Sequence, residues 1–446
     1  MRSLIPVLGL VFTTVTHLPA QQMHGQQDSM RQQMMMRAMT GPLGIPLARE
    51  GSGTSWLPDS TSMQALHAMA GSWLLMLHGN VFAQYIDEGG DRGDDQFGSI
   101  NWIMAMARRP LAGGFVMARV MMSAEPATVR RCGYPDMLAT GEFCRGEPLH
   151  DRQHPHDLFM ELAAGYEREL TRDLAFQVYA GPVGEPALGP VAYPHRPSAM
   201  PNPIAPIGHH WFDATHIAFG VVTAGLFGRR WKLEGSVFNG REPDEERYNI
   251  DLDALDSYSG RLWILPSPRW ALQGSIGRLT EAEPGPNGEP RRDVTRSTAS
   301  VTYHQPLSAA STWTTGAMWG HNVEEDQATD AFLIETSLTI AERNLLFARG
   351  ELARKQGEDL ALEDPALQEE AFTVGRVAIG YTRELGSILG LVPGIGGRVA
   401  VSLVPADLER FYGTRSPLGF ALFVNLRPAA MSMPGMTSMQ HMQHGR

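Results

Sequence analysis

Charge is scarce in this chain, and long apolar runs are scarcer. Asp, Glu, Lys and Arg make up 19% of the 446 residues. The longest apolar stretch, Leu4 to Val15, is too short to cross a bilayer as a helix. A mean hydropathy of −0.19 agrees, so no helical membrane protein is implied. Positive charge is the scarcer sign, 37 Lys and Arg against 48 Asp and Glu, for a net charge of −11. That argues against a nucleic-acid partner and fits a surface of acidic loops. There is no Gly-x-Ser-x-Gly elbow and no glycine loop that would cradle phosphate, so no catalytic residue is assigned and an enzyme is not expected.

What is present begins with an export signal. Leu4 to Val15 follows Arg2 and precedes Leu18-Pro19-Ala20, the pattern of a secretory signal peptide over residues 1–20. Export gives the two cysteines a meaning. Cys132 and Cys144 lie close together among turn formers, and an oxidising compartment predicts one loop-closing disulfide, with two free thiols as the alternative. Residues 21–40 are a Met- and Gln-rich stretch that no core can be built from, and they read as a disordered tail. Residues 41–71 have no clear period and read as a periplasmic linker or a plug. A second Met/His-rich tail covers residues 428–446.

Between residues 72 and 427 the pattern is period two. After the turn Gly228-Arg229-Arg230, Trp231, Leu233, Gly235 and Val237 share one face, while Lys232, Glu234 and Ser236 share the other. Phe332, Ile334, Leu338 and Ile340 oppose Glu335, Ser337 and Thr339 in the same way, and Phe420, Leu422, Val424 and Leu426 line up in the last such segment. About sixteen segments of this kind follow one another. Their connections alternate between short ones, such as 228–230 and 342–343, and long ones, such as 87–98, 124–157, 181–215, 240–256, 280–295 and 322–330. Short turns at one end, long loops at the other and an even strand number are the marks of a bacterial outer-membrane barrel. A soluble sandwich has no reason to gather its long loops at one end. The expected fold is therefore all-β, an antiparallel up-and-down transmembrane β-barrel of about sixteen strands. One connection departs, 384–397, which is long for a periplasmic turn and reads as a small lid or a miscounted strand.

Four groups of residues have candidate chemistry. The tails hold Met23, His24, Met34, Met35 and Met36 at one end, and Met431, Met433, Met436, Met439, His441, Met442 and His444 at the other. Thioether sulfur selects soft Cu(I), and imidazole adds Cu(II); a Met-biased tail without a ligand is the alternative. The two longest loops hold His150, His154 and His156 with Asp157, then His195, His209 and His210 with Asp213 and His216. Both loops lead to one rim, so these groups are placed to converge on Zn(II), Cu(II) or Ni(II), or else to bond loop backbone. Alternation turns Lys232, Glu234, Arg261, Glu335, Arg349 and Glu351 into the lumen, as a selectivity ring or a salt-bridged wall. The acidic run Asn239 to Arg247, with Asp251, Asp253 and Asp256, has the carboxylate density to bind Ca(II) or to bridge lipid phosphates through divalent ions, but it matches no EF-hand, and a solvated loop is the favoured reading.

Five short stretches carry a resemblance: Arg49–Trp56, His154–Leu158, Gly208–His216, Phe238–Glu245 and Tyr412-Gly413. Through them the chain from Arg49 to Pro428 resembles an uncharacterised family of outer-membrane β-barrel proteins of Gram-negative bacteria, often associated with heavy-metal resistance. The Met/His-rich tails resemble those of outer-membrane copper-resistance proteins. The resemblance implies a barrel in the outer membrane, in contact with lipid and lipopolysaccharide, with metal ions or periplasmic metal-resistance proteins as further partners. It supplies no catalytic residue. The leading expectation is an outer-membrane channel or metal-handling barrel. A general porin for small solutes is the second reading and a lipid-active barrel enzyme the third.

Overall fold

Sixteen strands close into one antiparallel barrel, each paired with its neighbours in chain order. The computed structural model describes residues 35–283, 290–325 and 327–430. The first eight strands are β1 Trp73–Glu88, β2 Asp94–Leu111, β3 Gly114–Met122, β4 Phe159–Glu169, β5 Ala175–Gly184, β6 Ala218–Phe227, β7 Trp231–Phe238 and β8 Ser257–Ser267. The rest are β9 Trp270–Glu283, β10 Arg292–Ser308, β11 Ser311–Glu324, β12 Gln327–Ile340, β13 Asn344–Gln356, β14 Ala371–Glu384, β15 Leu391–Leu403 and β16 Leu418–Pro428. β1 and β16 make the closure, Val81 to Glu88 against Leu426 to Gly419. Below that seam the first residues of β1, Trp73 to Leu77, pair instead with the short strand Leu66–Ala70. Closure satisfies the backbone groups that an open sheet would leave along its edges.

The alternation read from the sequence sets which way each strand faces. Trp231, Leu233 and Val237 of β7 are exposed, while Lys232 and Glu234 between them are buried. The same inversion runs round the wall: Ile264, Ile334, Leu352, Ile379, Val399 and Leu422 all face out. A continuous apolar outer face is far larger than the few hundred Å² that a soluble monomer exposes, and only hydrocarbon can cover it. Aromatic rings mark its border at the short-turn end. Trp270 lies 4.6 Å from Tyr303, and Tyr303 lies 5.6 Å from Trp313, centroid to centroid. Tyr85 and Phe420 meet near the other rim, at 6.1 Å. An apolar band between aromatic girdles is the surface of an outer-membrane barrel, and the outer membrane is where this chain resides.

Three expectations about boundaries are corrected. Connections expected over 87–98, 280–295 and 322–330 shrink to 89–93, 284–291 and 325–326, because the strands run on past the rim. Beyond the bilayer both faces of a hairpin meet water, so no apolar alternation marks the continuation. The connection 384–397 shrinks to 385–390, and no lid is built there; β15 starts at Leu391 with Pro393, Gly394, Gly396 and Gly397, which have no alternation to read. The tail expected to run to Thr40 ends earlier. Met35–Ala38 form a helical turn, and Ala38 and Met39 are buried against the wall.

Candidate functional site

The inward side chains of the wall meet polypeptide. Residues 41–65 enter from the short-turn end and return to it. Arg49 Nη1 donates to the Arg229 carbonyl at 2.7 Å, and the Ser60 amide donates to the Pro268 carbonyl at 2.9 Å, both in short turns. Between these anchors the segment climbs into the lumen. Its tip is held by wall cations: Arg119 pairs with Glu50 at 2.5 Å and donates to the Gly53 carbonyl, Lys232 donates to the Thr54 carbonyl, and Arg261 Nη2 donates to the Thr54 hydroxyl at 3.1 Å. Gly53 has a positive φ of 50°, and a Cβ there would stand 2.7 Å from the Cβ of Glu185. The approach of the two segments requires glycine at this point.

A second segment enters from the opposite rim. Residues 185–217, between β5 and β6, cross to the far wall. Arg196 of this loop pairs with Asp213 at 2.7 Å and with Glu335 of β12 at 2.8 Å. The Ile204 carbonyl accepts from Arg349 at 2.8 Å, and the Ile207 amide donates to Glu351 at 2.8 Å. The six residues expected in the lumen all point inward and all are buried. Lys232, Glu234 and Arg261 hold the N-terminal segment; Glu335, Arg349 and Glu351 hold the loop. The pairs Lys232–Glu234 at 3.4 Å, Arg261–Glu234 at 2.9 Å and Arg349–Glu335 at 3.4 Å run along the wall itself.

Part of the wall is not polar. Met76 of β1, Met104 and Met106 of β2, Met117 and Met121 of β3 and Met160 of β4 are buried in one cluster with Met39, and Met35, Met63 and Met69 pack against it. The cluster stands on the lumen side of four neighbouring strands. His78, on the same side of β1, has an Nε2 that is buried and without a hydrogen-bond partner. The described end of the methionine-rich stretch, Met35 to Met39, therefore packs against a methionine-lined wall. Met35 belongs to that packing and Met36 is exposed. The other tail candidates, Met23, His24, Met34 and the seven from Met431 to His444, lie outside the described residues.

The loop histidines form a group at the mouth. His209 lies 5.6 Å from His210 and 5.2 Å from His216, His156 lies 5.3 Å from His216, and His154 lies 6.3 Å from His210, centroid to centroid. Tyr193 packs among them, 5.5 Å from His209. His150 is apart, bonded to Arg92 and, at 2.8 Å, to Asp151. His195 packs at a tilt against Trp102, 4.5 Å between ring centroids. Within the group each ring has an anchor: His156 Nδ1 on Glu125 at 3.0 Å, His209 Nδ1 on Asp213 at 2.9 Å and His216 Nδ1 on the Asp213 carbonyl at 2.8 Å.

Three carboxylates complete the mouth: Glu242 of the acidic run, and Glu142 and Glu283, which the sequence does not single out. Glu142 Oε1 is 3.0 Å from His154 Nδ1, Glu242 Oε1 is 2.8 Å from His210 Nδ1, and Glu283 Oε1 is 3.9 Å from the same nitrogen. Burial takes the His154 imidazole down to about 4, and Glu142 offsets only part of this. Burial also pushes the Glu142 carboxyl up, but His154, Arg247 and His210 outweigh it and hold the group at about 2. Burial opposes charge on His210, and Glu242 and Glu283 overcome it, raising that imidazole well above its usual range. Glu142 sits in a turn-rich stretch, and Glu242 reads as one more acid of a solvated loop, so neither has a local signature. Of the other carboxylates of the acidic run, Asp256 and Asp253 face Arg241, at 2.9 and 3.7 Å, while Glu245 and Asp251 accept from the Arg145 and Asp244 amides. Cys132 and Cys144 are joined as a disulfide, so neither offers a thiolate to the nearby Glu245.

No protein-family model matches this chain, and no curated protein matches it. Solved structures do. One is an anion-selective porin from Comamonas acidovorans, at TM-score 0.49 and 10% identity, covering 80% of this chain and 99% of that one. Another is a loop-deletion mutant of OmpT, an outer-membrane protein of Vibrio cholerae, at TM-score 0.48 and 11% identity, covering 79% and 99%. A third is the outer-membrane channel DcaP of Acinetobacter baumannii, at TM-score 0.45 and 10% identity, covering 82% and 100%. Likeness of this degree says nothing about what this chain passes or binds. The heavy-metal association implied by the family resemblance has no counterpart among these findings.

Proposed function

We propose that this outer-membrane barrel is a channel closed at rest by its own N-terminal segment and by the loop 185–217, and that its traffic includes soft metal ions. One observation carries the reading: the seating of residues 50–54 on wall cations. The foot of the segment is apolar, with Leu43, Trp56 and Leu57 packed on Phe227, Trp263 and Leu265 of the wall, but its tip is not. Here Arg119, Lys232 and Arg261 hold backbone carbonyls, a hydroxyl and a carboxylate, contacts that water can replace when the segment leaves. Sixteen strands are enough to leave an aqueous passage once the filling moves aside. The soft-metal part is supported by composition and position. Thioethers select Cu(I), the tails are rich in them, and the stretch ending at Met39 leads to the methionine cluster of β1 to β4.

The test is conductance of the refolded protein in a planar bilayer, with and without Cu(I). Full-length protein should be closed with brief openings, and deletion of residues 42–61 should give a steady conductance. Cu(I) should alter conductance when the Met-rich tails are present and leave tail-deleted protein unchanged. A steady, copper-indifferent conductance in the full-length protein would instead identify a general porin.

A further inference from the structure

The mouth cluster has the composition and the geometry of a metal site, separate from the lumen and from the tails. Its groups come from four segments. Glu142 and His154 lie in the connection 123–158, His210 in 185–217, Glu242 in 239–256, and Glu283 ends β9. Single ligand atoms of Glu142, His154 and His210 all lie within 4.8 Å of one another, and so do those of His210, Glu242 and Glu283. His210 is common to both sets and 6% exposed. Its Nε2 has no hydrogen-bond partner, and neither does Oε2 of Glu242. Buried polar atoms almost always find a partner, and unpartnered atoms on both His210 and Glu242, within a cluster that holds three carboxylates and two imidazoles, point to a missing cation. The ring is held in place by its surroundings: Gly141 has a φ of +109°, and a Cβ there would come within 2.6 Å of His210.

We propose that Glu142, His154 and His210 bind one divalent transition-metal ion, Zn(II), Ni(II) or Cu(II), with Glu242 and Glu283 completing or balancing the site. Two imidazoles and a carboxylate are a recurring set for these ions and a poor one for Mg(II) or Ca(II), which take oxygen alone. The surrounding charge suits a dication. Three carboxylates face the cluster, and the neighbouring cations are Arg247, 3.4 Å from Glu142, and Arg296, 3.8 Å from Glu283. An ion here would tie three long loops and a rim strand together across the mouth. The proposal is independent of the channel reading, since neither the conductance nor the tails enter it.

The test uses the full chain with His24, His441 and His444 replaced by Ala, so that tail imidazoles do not contribute. Refolded in detergent, it is titrated calorimetrically with Zn(II), and its Cu(II) form is read by electron paramagnetic resonance. One equivalent of Zn(II), with nitrogen couplings from two imidazoles on Cu(II), is the expected result. His210→Ala should weaken Zn(II) binding at least 100-fold, and His154→Ala at least 10-fold. His150→Ala, outside the cluster, should leave it unchanged. Should a variant fail to fold, the Cu(II) spectrum of the parent decides. Absence of Zn(II) binding in the parent, a Cu(II) spectrum without imidazole nitrogen, or equal affinity in parent and His210→Ala overturns the site.

Discussion

Arg261 of β8 donates through Nη2 to the Thr54 hydroxyl at 3.1 Å, so a strand of the wall grips the tip of the N-terminal segment. The two residues are 207 positions apart. The same guanidinium donates to the Gly189 carbonyl at 3.0 Å. One side chain therefore holds both fillings of the lumen, the segment from the short-turn end and the loop from the far rim.

Removing one of these grips should loosen the filling while the barrel persists. Arg119→Ala takes the partner from Glu50 and, at 3.6 Å, from Glu161. Breaking a buried pair of this kind costs about 3–5 kcal/mol. Because Glu50 belongs to the segment and Arg119 to the wall, most of that cost should appear as release of the segment. Protease cleavage within residues 42–61 should rise at least tenfold, with an unchanged β circular-dichroism spectrum. Unchanged cleavage would mean that the segment is not held by the wall cations.

The lipid face is open to a charge test. Ile334 of β12 points out and Glu335 beside it points in. Ile334→Arg puts a cation into hydrocarbon, at about 2–4 kcal/mol near the midplane of the bilayer. Folding yield into lipid vesicles should fall sharply. In a soluble protein the same exposed change would be nearly neutral.

Acidification should loosen the mouth loops. His216 is buried beside His209 and His156, and burial together with these rings lowers its imidazole well below 6.5, with Asp213 opposing. The folded loop thus binds fewer protons than the unfolded one below pH 6.5. Its contribution to stability is fully present above that pH and is lost as pH falls. Trp211 fluorescence should report loop opening between pH 6.5 and 4.5, reversibly. His216→Leu should shift the midpoint to lower pH, and an identical profile would exclude His216 as a source.

Reduction of Cys132–Cys144 should act locally. The bridge spans 12 residues within one external loop, and closing a loop of that size is worth about 2–4 kcal/mol. Dithiothreitol should make residues 123–158 at least tenfold more sensitive to protease, while thermal unfolding of the barrel moves little.

The wall was legible in the sequence because a membrane barrel states its fold locally. Each strand must present an apolar face to lipid, so Trp231, Leu233 and Val237 alternate with Lys232 and Glu234, and hairpin order fixes who pairs with whom. The strand ends past the rim were not legible, since water on both faces imposes no period. Nor was the start of β15, where Pro393, Gly394, Gly396 and Gly397 have little side chain to alternate.

What fills the wall and what meets at its mouth had to wait for tertiary structure. Nothing near Thr54 announces Lys232 or Arg261, and nothing near Glu242 announces His210. Sequence showed that histidines lead to one rim, yet His150 turned to Arg92 while His154 reached Glu142, because loop paths depend on contacts between distant segments. A strand's facing follows from its own residues and its solvent; the convergence of four separate segments on one imidazole follows only from closing the barrel around them.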